Sequence, residues 1–141
     1  MANEVRGEVT LTIYGLLPSG NVLLRMHWAK RATLVKQWRM ATAGAVLIAR
    51  ASKANGARVF HVQATRVATR PLDTANFATA LDKLVIDGLC KPMGRRRFGL
   101  GIIHDDAPQW LTVECLQRKP RGDEPACVIV EIEPAEGWQD A

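Results

Sequence analysis

Apolar and polar positions alternate from Glu8 to Tyr14, the period-two pattern of a strand with one buried face. A first strand is expected there. It leads into Gly15-Leu16-Leu17-Pro18-Ser19-Gly20-Asn21, a loop dense in turn residues whose Ser and Asn side chains could contact a backbone or a phosphate. From Trp28 to Ala51 the pattern becomes helical: proline is missing, alanine is abundant, and Leu34, Val35, Trp38, Ala41, Ala45 and Ile48 recur on one face. One long amphipathic helix is expected, closed by Asn55-Gly56 as a cap or turn.

Arg58 to Thr69, rich in valine and threonine, predicts a second strand, and Asp73 to Leu89 a second helix. A Gly- and Arg-rich loop, Cys90 to Gly99, follows, and Leu100 to Ile103 could add a short apolar strand. Trp110 to Lys119 and Ala126 to Glu133 read as two further strands, joined by a proline-bounded turn, Pro120 to Pro125, suited to a hairpin. Residues beyond Pro134 read as a frayed tail. The order implies a single α/β (α+β) domain over 1–141, a mixed sheet with two main helices packed on it.

The length of 141 residues suits one domain with its own core. No apolar run approaches the roughly 18 residues a membrane helix needs. Met1 to Arg6 lack the order of a secretory signal, so a cytoplasmic location is expected. Cys90, Cys115 and Cys127 are widely spaced, with no zinc-ligand pattern, and are expected to be buried thiols outside any disulfide. A net charge of +5 favours a polyanionic partner such as nucleic acid, although solubility alone could account for it. Lys30, Arg31 and Lys36 make one end of the long helix basic, after Arg25 and His27.

The chemistry concentrates between Asp73 and Asp106. On an α-helix, Lys83 and Asp87 fall within about 20° of Asn76, and Asp73 within about 60°, which makes one polar stripe. Phe77, Leu81, Leu84, Val85 and Leu89 project to the core side. Asp82 points elsewhere and is expected to be solvated. The stripe could be an ordinary exposed face with an i, i+4 pair between Lys83 and Asp87.

Asp105-Asp106, after an apolar segment, could likewise be a solvated turn. If instead the fold gathers them beside Asp73 and Asp87, each like-charge pair costs about 1 kcal/mol in water, or about 4 at an effective dielectric of about 20. Such a cluster needs a cation, and oxygen ligands without histidine or thiolate suit Mg²⁺, with Mn²⁺ as an alternative. Lys83 would then bind phosphate, and Arg95, Arg96 and Arg97 could clamp it or remain solvated. His104 is left outside the candidate set.

At these residues the chain resembles the RusA family of crossover junction endodeoxyribonucleases, common in phages. The resemblance rests on an opening strand, the Pro18-Ser19-Gly20-Asn21 loop, a long helix and a strand. Asp73 and Asn76 then open the next helix, Lys83 and Asp87 follow, and Asp105-Asp106 come after a Gly-containing turn. The family carries two aspartates, separated by one residue, immediately before the Asn, where this chain offers Asp73 alone. The resemblance implies Asp73 and Asp106 as catalytic metal ligands, Asp87 and Asp105 as supporting acids, Lys83 near the scissile phosphate, and Asn76 as an orienting group. Asn21, Lys30, Arg31, Asn76, Lys83 and Arg95 to Arg97 form the expected DNA-binding set. It also implies a homodimer that nicks four-way DNA junctions. The alternatives are a branched-DNA-binding protein without effective catalysis and a structural phage protein.

Overall fold

The computed structural model describes residues 9–51, 59–92 and 99–135. Four strands form one mixed sheet: β1 (Val9–Tyr14), β2 (Phe60–Val67), β3 (Leu111–Arg118) and β4 (Cys127–Pro134), in the order β1-β4-β2-β3. β4 runs antiparallel to both β1 and β2, whereas β2 and β3 are parallel. A parallel pair needs a crossover, and the helical segment after β2 supplies it. That segment comprises α3 (Thr74–Leu81), a π-helical turn (Asp82–Ile86) and α4 (Asp87–Leu89). Before β2 come a short helix, α1 (Gly20–Arg25), and the long α2 (Trp28–Ala49).

Alternation places Leu11, Ile13, Phe60, Val62, Ala64, Val128, Val130 and Ile132 on one face of the sheet, fully buried. The helices close over that face. α2 contributes Trp38 and Ala45, and the α3-to-α4 segment contributes Phe77, Leu81, Leu84 and Leu89. Fully burying a side chain of this size is worth about 1.5–3 kcal/mol, so these contacts fix the helical layer on the sheet.

The strands and both principal helices lie where the pattern predicts them, with ends shifted by no more than two residues. Four expectations are corrected. β3 and β4 do not form a hairpin, because β2 lies between them and pairs with both. Period-two alternation identifies a strand and its inward face but carries nothing about its neighbour. Leu100 to Ile103 makes only an isolated bridge, Cys90 to Ile103.

α2 ends at Ala49, where Arg50 turns left-handed (φ 54°) and donates its N–H to Leu47 and Val46 carbonyls. Asn55-Gly56 lie outside the described residues. Within α2 the buried stripe is Trp38, Thr42, Ala45 and Val46, while Ile48 is 87% exposed. Thr42 can be buried because its hydroxyl donates to the Trp38 carbonyl at 2.7 Å.

The loop expected through Asn21 turns helical at Gly20, with the Ser19 hydroxyl capping α1 by accepting the Val22 N–H at 3.1 Å. Gly20 permits α1 to touch α3: a Cβ there would lie 2.8 Å from Thr79 Cβ and 3.1 Å from the Asn76 carbonyl oxygen. Arg66, buried on β2, donates to the Leu17 carbonyl (3.1 Å) and the Arg70 carbonyl (2.8 Å), tying the approach to α1 to the segment before α3.

Candidate metal centre

Asp73 is the N-cap of α3. One carboxylate oxygen accepts the Asn76 N–H at 2.8 Å and the other accepts the Asn76 side-chain amide at 2.9 Å. The Asn76 side-chain amide oxygen in turn accepts the Asn21 N–H at 2.9 Å. Asp73, Asn76 and Asn21 are therefore brought together as a chain of hydrogen bonds joining α1 to α3, and Asn21 enters it through its backbone.

A second grouping arises about two turns of helix further on. Among the described residues, Asp82, Asp87 and Asp106 offer carboxylate oxygens that all lie within 4.8 Å of one another. On a regular α-helix Asp82 and Asp87 would point about 140° apart. The π-turn changes this, because the Asp87 N–H bonds to the Asp82 carbonyl, an i→i+5 closure that stacks the two residues on one side. The expectation that Asp82 points away is corrected by this extra residue in the turn.

Asp106 reaches the pair by anchoring on both sides. The Ile102 and Ile103 N–H groups donate to the Leu89 carbonyl at 2.9 and 3.0 Å, and the Lys91 N–H donates to the Ile103 carbonyl at 3.0 Å. Ile102 and Ile103 are buried, so the chain is pinned to the end of α4 just before the acidic pair. On the far side Trp110 and Leu111 donate to the Ala107 carbonyl, which starts β3. Asp105 accepts the Asp106 N–H at 2.9 Å and is not one of the three converging carboxylates. The His104 ring packs edge-on to Trp110 at 4.5 Å, with its Nδ1 buried and without a hydrogen-bond partner.

The electrostatics follow from this crowding. Asp82 is pushed up to about 6, first by desolvation, then by the charges of Asp87 and Asp106 and by a hydrogen bond to Asp106; Lys83 acts in the opposite direction. The desolvation has a visible source, since Asp82 and Asp106 border a recess of about 230 Å³ whose other walls include Leu81, Ile86, Leu111 and Val113. Three carboxylates so placed hold protons or attract a cation.

On its other side the cluster opens into a groove of about 750 Å³ between α2 and the π-turn, lined by Trp28, Arg31, Lys36, Arg39, Lys83 and Asp87 among others. Lys83 and Asp87 share this groove with Arg31. Lys30 borders a separate depression with Met26 and Gln37. Arg95, Arg96 and Arg97 lie outside the described residues. Sequence reasoning missed Asp82, which the π-turn delivers without a local signal, and Arg39, whose i, i+8 spacing from Arg31 was legible.

No protein-family model matches the chain, and no curated protein or solved structure matches it.

Proposed function

We propose that the chain is a metal-dependent endonuclease of RusA type acting on branched DNA, with Mg²⁺ or Mn²⁺ held by Asp82, Asp87 and Asp106. The observation that carries this reading is the convergence of those three carboxylates at the edge of a groove carrying four cationic side chains, Arg31, Lys36, Arg39 and Lys83. Gathering acids beside a surface that must face phosphates is unfavourable unless a cation neutralises them. The donor set fits a hard divalent ion: oxygen atoms only, with neither thiolate nor imidazole among the three.

Such an ion supplies positive charge to a scissile phosphodiester and acidity to water near it. The chain's own residues then have distinct tasks. Asp82, Asp87 and Asp106 fix the position of that charge. Lys83, one turn from Asp87 in the same groove, holds a phosphate oxygen as a mobile point charge. Asp73 and Asn76 keep α3 seated against α1, which sets the angle of the helical segment bearing the acids. A homodimer would present two such sites for paired incisions.

The test is cleavage of a labelled synthetic four-way junction against linear duplex of the same sequence, with Mg²⁺ and with chelator. Symmetric, Mg²⁺-dependent nicks confined to the junction are expected, and Asp106→Asn should abolish them while leaving binding intact. Cleavage by Asp106→Asn equal to the parent's would refute the assignment. One observation favours a second reading, a junction-binding protein without effective catalysis: both Asp73 oxygens are committed to Asn76. Tight junction binding with no nicks in Mg²⁺ or Mn²⁺ would select it.

A further inference from the structure

Of the conspicuous features outside the acidic cluster, the groove between α2 and the π-turn combines most chemistry. Trp28 stands at its α2 end with 70% of its surface exposed, an unusual situation for the largest apolar side chain. His27 is pinned beside it: its Nδ1 accepts the Ala29 N–H at 3.2 Å, and the two ring centroids are 5.6 Å apart. Val35 and Ala43 give the groove an apolar floor, and Arg31, Lys36, Arg39 and Lys83 ring it with positive charge.

An apolar floor with a flat aromatic at one end and cations around the rim matches a ligand with planar apolar faces on an anionic backbone. We infer that this groove takes a single strand of nucleic acid, with an unpaired base stacked on Trp28 and backbone phosphates on Arg31, Lys36, Arg39 and Lys83. The inference rests on the nuclease reading for the strand's destination, the Asp82, Asp87 and Asp106 cluster, and names the form of substrate that reaches it.

Dimensions and charge support the choice. From Trp28 to Arg39 the α2 axis rises about 16 Å, the length of about five stacked nucleotides at about 3.4 Å each. A duplex has both faces of each internal base already stacked, so it offers the indole nothing, whereas an unpaired base at a branch offers a free face. The opposite face of the sheet is unsuited to the same ligand, because Glu114, Glu131 and Glu133 gather there around His61 and Gln63. A polyanion is thereby directed to the helical layer.

The experiment is fluorescence anisotropy of a labelled oligothymidylate and of a short duplex, with chelator present so that nothing is cut. Trp28→Ala should weaken the oligothymidylate at least about fivefold, the lower end of the effect of losing one base–aromatic stack, and leave the duplex within about twofold. Trp28→Phe should restore most of the loss. Lys36→Ala should reduce the salt slope of single-strand binding by about 0.7, as one lost phosphate contact requires.

Equal oligothymidylate binding by Trp28→Ala and the parent would overturn the inference. So would an equal loss for single strand and duplex, or displacement of the strand by poly-glutamate at equal charge concentration, which would mark the groove as a site for acidic peptides. Because no cleavage is read, failure here leaves the nuclease reading standing. Failure of junction cleavage leaves this result standing in turn.

Discussion

Replacing Asp82 with asparagine keeps the side chain's shape and removes one of three crowded charges. The carboxyl titrates near about 3.9 in an unfolded chain and at about 6 in the folded one. Because the folded state binds this proton more tightly, the group's contribution to stability is most favourable below about pH 4. It falls as pH rises to about 6 and is constant above that. Each tenfold change in proton affinity is worth about 1.4 kcal/mol, which sets a ceiling of about 3 kcal/mol.

Asp82 stands at the exposed rim of the recess, so solvent screening reduces that ceiling to about 1 kcal/mol. Asp82→Asn should therefore stabilise the chelated protein by about 1 kcal/mol near pH 7.5 and have almost no effect near pH 4. With saturating Mg²⁺ or Mn²⁺ the order should reverse. The parent gains about 2.7 kcal/mol when the ion is at about a hundred times its dissociation constant, and the variant gains less. Urea denaturation followed by circular dichroism at both pH values, with chelator and with metal, reads all of this. A variant destabilised equally at both pH values would refute the crowding, and an unchanged metal-induced gain would remove Asp82 from the site.

Gly20→Ala forces a Cβ against Thr79 and should cost about 1–3 kcal/mol in a urea titration, since α1 must back away from α3. Asp73→Ala should cost about 1 kcal/mol as a lost helix cap, whereas Asp73→Asn retains an acceptor for the Asn76 N–H and should keep most of that stability. If metal-induced stabilisation also survives in Asp73→Asn, the residue acts as a cap and not as a ligand. Arg50→Gly should raise stability by about 1 kcal/mol, because only glycine meets the left-handed turn that ends α2 without steric cost. Glu124, held down to about 2 by its two hydrogen bonds from Arg118, contributes stability that is lost only as pH falls toward that value. Glu124→Gln should therefore shift the acid unfolding limb and leave cleavage at neutral pH unchanged.

Alternation along Val9–Tyr14 and Cys127–Pro134, and helical spacing through Trp38 and Ala45, made the elements and most of their inward faces legible, because burial acts residue by residue. The acidic character of the segment from Asp73 to Asp106 was legible for the same reason, as was the basic character of α2. Strand neighbours were not. β2 separates β3 from β4 through pairings of distant segments, and no local pattern encodes them.

The acid grouping also lay beyond the sequence. Asp73 became a cap because its carboxylate meets the unsatisfied N–H groups opening α3. Asp82 joined Asp87 because one extra residue in the turn rotates it onto the same side. Asp106 came to both only because buried Ile102 and Ile103 fasten its segment to the end of α4. The sequence determined which residue types were available, and packing decided which carboxylates meet.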